Sequence, residues 1–207
     1  VPLSTAFFES SQNDLALIGI MFMIVIAVTL LLTRNIFATL ATLVVVVFSI
    51  MSALGFIGLS GIKLTAPSSV FPTMILTLAV ADSIHILVTL LQKFRKEGYQ
   101  KKEAIIESMR LNFMPVFITS LTTVVGFLTL NFGEVPPFWH LGNITAFGMC
   151  MAFLYSTTTL PALMAILPIW KSTKKEITLK KATFYTQLGQ LIVKQPARLT
   201  LISFGFI

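Results

Sequence analysis

An acidic side chain and an imidazole lie three residues apart in a long apolar stretch of the sequence. Asp82 and His85 fall near the middle of residues 68–91, which read SSVFPTMILTLAVADSIHILVTLL. Side chains at this spacing share one face of a helix. Because a charged side chain at the centre of a bilayer costs at least about 2–3 kcal/mol, an acid retained there is expected to have a function. The pair is therefore a candidate proton-carrying site that faces protein or trapped water rather than lipid.

Two interpretations of this pair stay open at the level of sequence. Asp82 is the only acidic residue well inside an apolar segment. It is either a proton carrier, because removal from water disfavours a charged carboxylate, or a structural carboxyl group hydrogen-bonded to a neighbouring helix. His85 either shares the proton with Asp82 or is a polar packing residue.

A second candidate surface lies in residues 115–132, where small and hydroxyl-bearing residues recur at helical spacing. Pro115, Thr119, Thr122 and Gly126 define this face. Such a face packs closely against another helix and donates hydrogen bonds to it, so it is a candidate partner for Asp82; the alternative is a generic packing face. The residues expected to support the acid are Ser83, Thr119, Ser120, Thr122 and Thr123.

The composition indicates a membrane protein and excludes several other classes. Of the 207 residues, 56% are hydrophobic and only 11% are charged, which is too apolar for a soluble domain. The net charge of +7 comes from short loops without interleaved aromatic residues, so no nucleic-acid partner is expected. The single cysteine, Cys150, and two distant histidines predict neither a disulfide framework nor a metal site. We expect no cofactor and no enzyme activity, since aspartyl hydrolysis needs two carboxylates.

Five apolar segments are long enough to cross a bilayer as helices. They are residues 15–32, 36–59, 68–91, 115–132 and 142–167. The sequence therefore predicts an all-α, polytopic transmembrane helical bundle with five complete spans, occupying residues 15–170. A cytoplasmic amphipathic linker is expected at 171–196, and residues 197–207 form the truncated start of a sixth span. The incomplete last span leads us to expect that the chain is a fragment of a longer protein.

The distribution of positive charge predicts the orientation of these spans. Every basic residue except Lys63 falls at Arg34, in residues 93–110 or in residues 171–198. These regions alternate with loops that are nearly free of basic residues. Because basic loops remain in the cytoplasm, we expect residues 1–14 to lie outside it.

Several local patterns add expectations. The glycines that end the second span, Gly55, Gly58 and Gly61, indicate either close helix approach or a loosening helix end. The segment after Gly98 has the periodicity of an amphipathic surface helix, over residues 104–111. Pro161 predicts a kink in the fifth span. The residues expected to serve packing in that span are Thr145, Gly148, Ala152 and Ser156.

Three motifs together resemble the RND superfamily of transporters. They are LAVADSIHI from Leu78, PVFITSLTTVVGFLTL from Pro115, and GNITAFGMCMAFLYSTTTLPALM from Gly142. The chain is most similar to the large-exporter and Patched-like branch, whose corresponding helices form the sterol-sensing domain of eukaryotic members. The resemblance implies that the spans are helices two to six of a twelve-helix transporter, half of an RND-type repeat. Residues 1–14 would be the end of an extracytoplasmic domain and its lead-in.

The resemblance also implies a function. Asp82 matches the acidic position that the family uses as a proton relay, whereas Ala81 and His85 depart from the multidrug members. The expected function is export of hydrophobic or amphipathic molecules or lipids by a secondary active transporter that uses the proton-motive force. His85 would tune or share the proton, and Thr119 and Thr122 would orient the acid.

The alternative to this exporter is a sterol-sensing-type lipid-binding domain without ion coupling. The expected partners are a lipid-like substrate, protons, membrane lipids and the second half of the transporter, with a homo-oligomer left open. The expected location is the plasma membrane, which means the inner membrane of a bacterium.

Overall fold

A computed structural model describes residues 19–62, 64–65 and 67–169 of the chain. Within these ranges the protein is helical and has no β-strand. The α-helices are α1 (Gly19–Thr33), α2 (Ile36–Ser60), α3 (Phe71–Arg95), α4 (Lys101–Leu128), α5 (Pro136–Thr157) and α6 (Thr159–Ile166). Short 3₁₀ turns, Pro67–Val70 and Thr129–Phe132, adjoin α3 and α4. The predictions for residues 1–14, 171–196 and 197–207 lie outside the described residues.

Four helical segments are long and apolar enough to cross a membrane. They are Ile36–Ser60, Pro67–Arg95, Lys101–Phe132 and Pro136–Ile166. A 25-residue helix such as α2 is about 37 Å long, against a hydrocarbon core of about 30 Å. The first predicted span is described from Gly19 and forms a shorter apolar helix. The prediction of an all-α polytopic membrane bundle is confirmed, and the protein is an integral membrane protein.

Local signals in the sequence set both ends of α2. The Asn35 side chain accepts hydrogen bonds from the main-chain N–H groups of Phe37, at 2.9 Å, and of the following residue, which satisfies donors that a helix N-terminus leaves unpaired. Gly61 ends the helix with a positive φ of 65°, a conformation that glycine adopts without strain. Among the described residues, a Cβ added at Gly55 or Gly58 would meet nothing within 4 Å. Of the two interpretations of these glycines, the structure favours the helix end.

Helix α5 packs against α2, α3 and α4 through glycine. A Cβ at Gly148 would overlap the side chain of Ile75 on α3 and would lie 3.3 Å from the Cβ of Ala53 on α2. A Cβ at Gly142 would lie 2.5 Å from the main-chain oxygen of Phe127 on α4. The predicted packing face of this span is confirmed, because its four members are buried: Thr145, Gly148, Ala152 and Ser156.

The expectation of a separate surface helix before the fourth span is wrong. Helix α4 runs without a break from Lys101 to Leu128, with Pro115 inside it. In its first turns Ala104 and Ser108 are buried, whereas Leu111, at the end of the periodic segment, is exposed. The hydroxyl of Ser108 donates to the main-chain oxygen of Ile86 on α3 at 2.6 Å. The buried residues of these turns therefore belong to a helix that continues into the fourth span and packs on α3.

The fifth predicted span is interrupted at Thr158, three residues before Pro161. Helix α5 ends at Thr157 and α6 begins at Thr159, with φ −112° and ψ −60° at the residue between them. Proline has no N–H group to donate to the carbonyl four residues earlier, which here belongs to Thr157. The predicted kink is confirmed.

Two basic side chains hold helix ends together at one end of the bundle. The guanidinium group of Arg95 donates to the main-chain oxygen of Thr33, at the end of α1, at 2.7 Å. The Lys101 ammonium group donates to the main-chain oxygens of Ala165 and Leu167, at the end of α6, at 2.6 and 2.8 Å. Cations are favoured at helix C-termini, where carbonyl groups lack partners. These basic residues therefore lie at the same end of the bundle, the end that the charge distribution predicts to be cytoplasmic.

Candidate functional site

The candidate proton-carrying acid lies inside the helical bundle. Asp82, on α3, is only 6% exposed, and Ser120, on α4, is 5% exposed. The Ser120 hydroxyl donates a hydrogen bond to Oδ2 of Asp82 at 3.1 Å. The bond joins two membrane-spanning helices across 38 positions of sequence. The carboxyl group thus faces protein, as the sequence predicts.

The Ser120 hydroxyl suits a carboxyl group that changes its protonation state. A serine hydroxyl both donates and accepts hydrogen bonds. Ser120 can therefore donate to the ionised carboxylate of Asp82 and can accept a bond from the protonated acid. A charged acceptor makes the first bond the stronger one. The pair can hold either form of the acid without leaving it unpartnered inside the bundle.

The next residue on α3, Ser83, is fully buried and serves its own helix. Its hydroxyl donates to the main-chain oxygen of Ala79 at 2.7 Å. One turn further on, α4 again contacts α3 through the bond from Ser108 to Ile86. Ser108 and Ser120 thus each donate a side-chain hydrogen bond from α4 to α3, and the one from Ser120 reaches the acid.

His85 lies on an exposed part of α3. It belongs to an exposed row, spaced by four residues, that also contains Thr77 and Ala81. Within the described residues, no hydrogen bond joins the imidazole of His85 to the carboxyl group of Asp82. The structure brings the two residues onto neighbouring parts of one helix surface, with the acid turned inward. Sharing of a proton between them remains a prediction.

The three threonines expected to support the acid form their hydrogen bonds within α4. The hydroxyls of Thr119, Thr122 and Thr123 donate to main-chain oxygens three or four residues earlier, at 2.7–3.1 Å. Ser120 is the member of the predicted set whose hydroxyl reaches Asp82. The role of the threonines in orienting the acid stays a prediction. In the structure Ser120 lies four residues after the buried Val116, about 40° away around the helix, and so shares the buried face of α4.

Sequence reasoning missed two polar contacts that α4 and the turn after it make with neighbouring helices. One is the bond from Ser108 to Ile86, which sets how α4 rests on α3. The other is a reciprocal amide pair near the far end of α4, where Asn131 and Asn143 each donate to the other's side-chain oxygen at 3.1 and 2.9 Å. Side-chain amides hydrogen-bond across helices in membranes, so a search for amide residues near span ends would have found this pair.

Membrane-spanning helices around a buried acid define this chain as a polytopic helical membrane protein. The particular family follows from comparison with known proteins. The chain belongs to the MMPL family, whose sequence profile matches residues 2–199. The predicted membership of the RND superfamily is confirmed by this match and by the transporters among its relatives.

Three relatives illustrate the similarity. The chain is 28% identical over 158 residues to a putative membrane protein of Methanocaldococcus jannaschii, covering 76% of the chain and 39% of the relative. It is 28% identical over 171 residues to the hopanoid transporter HpnN of Rhodopseudomonas palustris, covering 81% and 19%. It is 25% identical over 195 residues to the probable transport protein MmpL2 of Mycobacterium tuberculosis, covering 91% and 20%. The chain thus matches between about a fifth and two fifths of each relative's length.

Proposed function

We propose that this chain belongs to a secondary active exporter of hydrophobic or lipid-like molecules, driven by the proton-motive force through Asp82. The observation that carries the proposal is the acid's position inside the bundle, with the Ser120 hydroxyl across the α3–α4 interface at 3.1 Å. A buried acid at membrane depth is a typical element of a proton relay. Membership of a family that contains transporters supports the same function.

In the proposed mechanism, the protonation state of Asp82 alters the contact between α3 and α4. The ionised form requires a donor, and Ser120 provides one. The neutral form lowers the electrostatic cost of burial, so the two helices are freer to move relative to each other. Proton uptake on one side of the membrane and release on the other would then drive this movement through a transport cycle.

The exposed polar residues of the site would contact the second half of the transporter. His85 and Thr77 on α3, with Thr119 and Thr122 on α4, are exposed in the described part of the chain. Ionisable side chains in a membrane span face protein or a water-filled cavity rather than lipid. In this proposal, His85 shares or tunes the proton at that interface, while the threonines help to orient Asp82.

The proposed substrates are lipids or similar apolar molecules. One relative is named as a hopanoid transporter, which is a lipid-directed function, and another is named as a probable transport protein. The proposed location is the bacterial inner membrane. The end of the bundle that carries Arg95 and Lys101 would face the cytoplasm.

A transport assay with the substitution Asp82→Asn tests the proposal. Asparagine keeps the shape of the side chain and an oxygen for the Ser120 hydroxyl, but it cannot carry a proton. We expect the full-length protein, reconstituted in vesicles with an imposed pH gradient, to lose gradient-driven lipid export. The matched control is Glu134→Gln, which makes the same chemical change in an exposed loop and should leave export intact.

Unchanged export by Asp82→Asn would contradict the relay. Lipid binding that persists in this variant and does not respond to pH, together with the absence of gradient-driven export by the unmodified protein, would instead favour a lipid-sensing domain without ion coupling.

A further inference from the structure

A proline divides α4 between two hydrogen bonds that hold this helix to α3. Pro115 lies inside the helix, seven positions after Ser108 and five before Ser120. Because proline has no N–H group, the main-chain oxygen four residues earlier loses the hydrogen bond that a regular helix would give it. Helices bend at such positions. Pro115 therefore separates an N-terminal part of α4, residues 101–114, from a C-terminal part, residues 116–128.

The threonine hydroxyls next to the proline favour bending at the same place. Thr119 donates to the main-chain oxygens of Pro115 and Val116 at 3.1 and 2.9 Å. Thr123 donates to the main-chain oxygen of Thr119 at 2.7 Å. Bonds of this kind compete with the main-chain hydrogen bonds of a helix and bend it. The missing donor and the competing hydroxyls thus fall in one stretch of α4, residues 111–123.

The N-terminal part of α4 is held by bonds that do not involve the acid. The hydroxyl of Ser108 donates to the main-chain oxygen of Ile86 on α3 at 2.6 Å. The ammonium group of Lys101 donates to two main-chain oxygens at the end of α6, at 2.6 and 2.8 Å. Main-chain carbonyl groups do not titrate, so a change in the charge of Asp82 leaves these acceptors as they are.

The C-terminal part is held to α3 through a group that can change its charge. Beyond Pro115, the hydroxyl of Ser120 donates to Oδ2 of Asp82 at 3.1 Å. A hydrogen bond to a charged acceptor is about twice as strong as one to a neutral acceptor. Loss of the charge therefore weakens the hold of α3 on this part of α4. Its close contact with α5, between the main-chain oxygen of Phe127 and Gly142, does not depend on that charge.

We infer that Pro115 is a hinge, about which the C-terminal part of α4 changes its angle to α3 while the N-terminal part stays in place. The hinge itself rests on the proline and on the division of contacts around it. Its control by a proton rests on the proposed function, in which neutral Asp82 holds Ser120 less strongly. The inference identifies which part of α4 moves when the acid is protonated.

Few other ionisable side chains lie on the helices around this contact. Neither α2 nor the C-terminal part of α4 carries any. In the apolar stretch of α3, Asp82 is accompanied by His85. The ionisable residues of α5 are His140, Cys150 and Tyr155. The variant Asp82→Asn distinguishes the acid from all of these, because it leaves the others unchanged.

Distances between pairs of spin labels test the hinge. The full-length protein, with its other cysteines replaced by serine, is labelled in nanodiscs and measured by pulsed electron paramagnetic resonance. The C-terminal pair is Val70→Cys, at the start of α3, with Val125→Cys on α4. The N-terminal pair is Val88→Cys on α3 with Ile106→Cys on α4. All four positions are exposed, so the labels replace no buried side chain.

Ser120→Ala removes the bond to the acid and should release the C-terminal part. Val125 lies about 15 Å along the helix from Pro115, so a change of about 20° at the proline displaces it by about 5 Å. The distance of the C-terminal pair should shift by about this amount, and that of the N-terminal pair should stay the same. Size-exclusion profiles show which variants fold. Asp82→Leu cuts the same bond from the other side and should give the same shift if Ser120→Ala does not fold.

Removal of the proline should abolish this movement. In the double variant Ser120→Ala/Pro115→Ala the main-chain bonds of α4 can be complete, so the C-terminal part should follow the N-terminal part and keep its original distance. The control is Ser120→Ala/Pro137→Ala, because Pro137 lies in the first turn of α5, where no N–H donor is needed; this variant should still shift. A shift that persists without Pro115, an equal shift of both pairs, or no shift in either Ser120→Ala or Asp82→Leu would overturn the hinge.

The response to pH separates the hinge from the proposed function. A fall from about pH 8 to about pH 5 should shift the C-terminal pair when Asp82 is present and should have no effect in Asp82→Asn. A shift in Ser120→Ala without any response to pH, together with unchanged export by Asp82→Asn, would overturn the proton relay alone. Loss of gradient-driven export in Asp82→Asn, with both label pairs moving equally in Ser120→Ala, would overturn the hinge alone. A pH response retained in Asp82→Asn would overturn the control of the hinge by the acid.

Discussion

The substitution Gly142→Ala tests the packing that positions the site. The added Cβ would lie 2.5 Å from the main-chain oxygen of Phe127 and 3.1 Å from the Cβ of Leu130. Unbonded heavy atoms are comfortable at about 3.5–4.0 Å, so α4 and α5 would have to move apart by roughly 1 Å. A main-chain oxygen within a helix cannot rotate out of the way as a side chain can. The strain must therefore be distributed over the α4–α5 interface.

The expected loss of stability can be estimated against a control. Overpacking a tight interface costs about 1–3 kcal/mol. Replacing glycine by alanine inside a helix also gains up to about 1 kcal/mol. Gly55→Ala carries this gain without a clash in the part of the chain that the structure describes, because a Cβ there would meet nothing within 4 Å. Gly142→Ala should therefore be less stable than Gly55→Ala by about 1–3 kcal/mol.

Unfolding of the purified protein in mixed micelles by increasing SDS measures this difference. The free energy of unfolding should fall in Gly142→Ala and should rise or remain constant in Gly55→Ala. Equal stability of the two variants would refute the close approach of α4 and α5 at Gly142.

Three further predictions concern single contacts. Ser120→Ala should destabilise the protein by about 1.5–3 kcal/mol at neutral pH, because it removes the hydrogen-bond donor to the buried carboxylate of Asp82. In the same SDS assay, the control Thr119→Ala should change stability by under about 1 kcal/mol. Equal effects of the two substitutions would contradict the assignment of Ser120 as the donor to Asp82. Lys101→Met should speed amide hydrogen exchange in residues 159–166, because two carbonyl groups at the end of α6 lose their donor; exchange at the original rate would count against this capping. Pro161→Ala should slow exchange around Thr158, because a continuous helix can form there, and a variant that keeps fast exchange would show that the proline does not cause the break.

The membrane spans and the buried acid could be predicted because their signals lie in the sequence. The length and hydropathy of an apolar run do not depend on its neighbours, so four spans are found at full length. The inward position of Asp82 follows from the cost of exposing an acid to lipid. The motif around Pro115 also identified α4, the helix that supplies the hydrogen-bond donor to Asp82.

The donor itself could not be chosen from periodicity. Thr119 and Ser120 are adjacent, and consecutive residues on a helix point about 100° apart. Which of them faces α3 depends on the rotation of α4, and contacts such as the bond from Ser108 to Ile86 set that rotation. The same ambiguity explains the error over the first turns of α4, because an amphipathic pattern does not distinguish a protein neighbour from a membrane surface.

The positions at which helices approach each other closely could not be predicted from the sequence either. Gly55 and Gly58 lie three residues apart on one face of α2, yet within the described residues a Cβ would have open space at both. Gly142 and Gly148, which do make close contacts, are spaced by six residues. Which glycine meets a neighbour depends on where helices cross, and the crossing points result from the whole bundle rather than from one segment.

The central claim, that Asp82 takes up and releases a proton inside the bundle, is tested most directly by infrared difference spectroscopy of the purified protein during a pH change. The protonated carboxyl group of a buried acid gives a carbonyl band that is separate from those of ionised carboxylates. If Asp82 titrates in the bundle, a band of this kind should grow as the pH falls and should be missing from Asp82→Asn. A spectrum that is the same in Asp82→Asn and in the unmodified protein would contradict it.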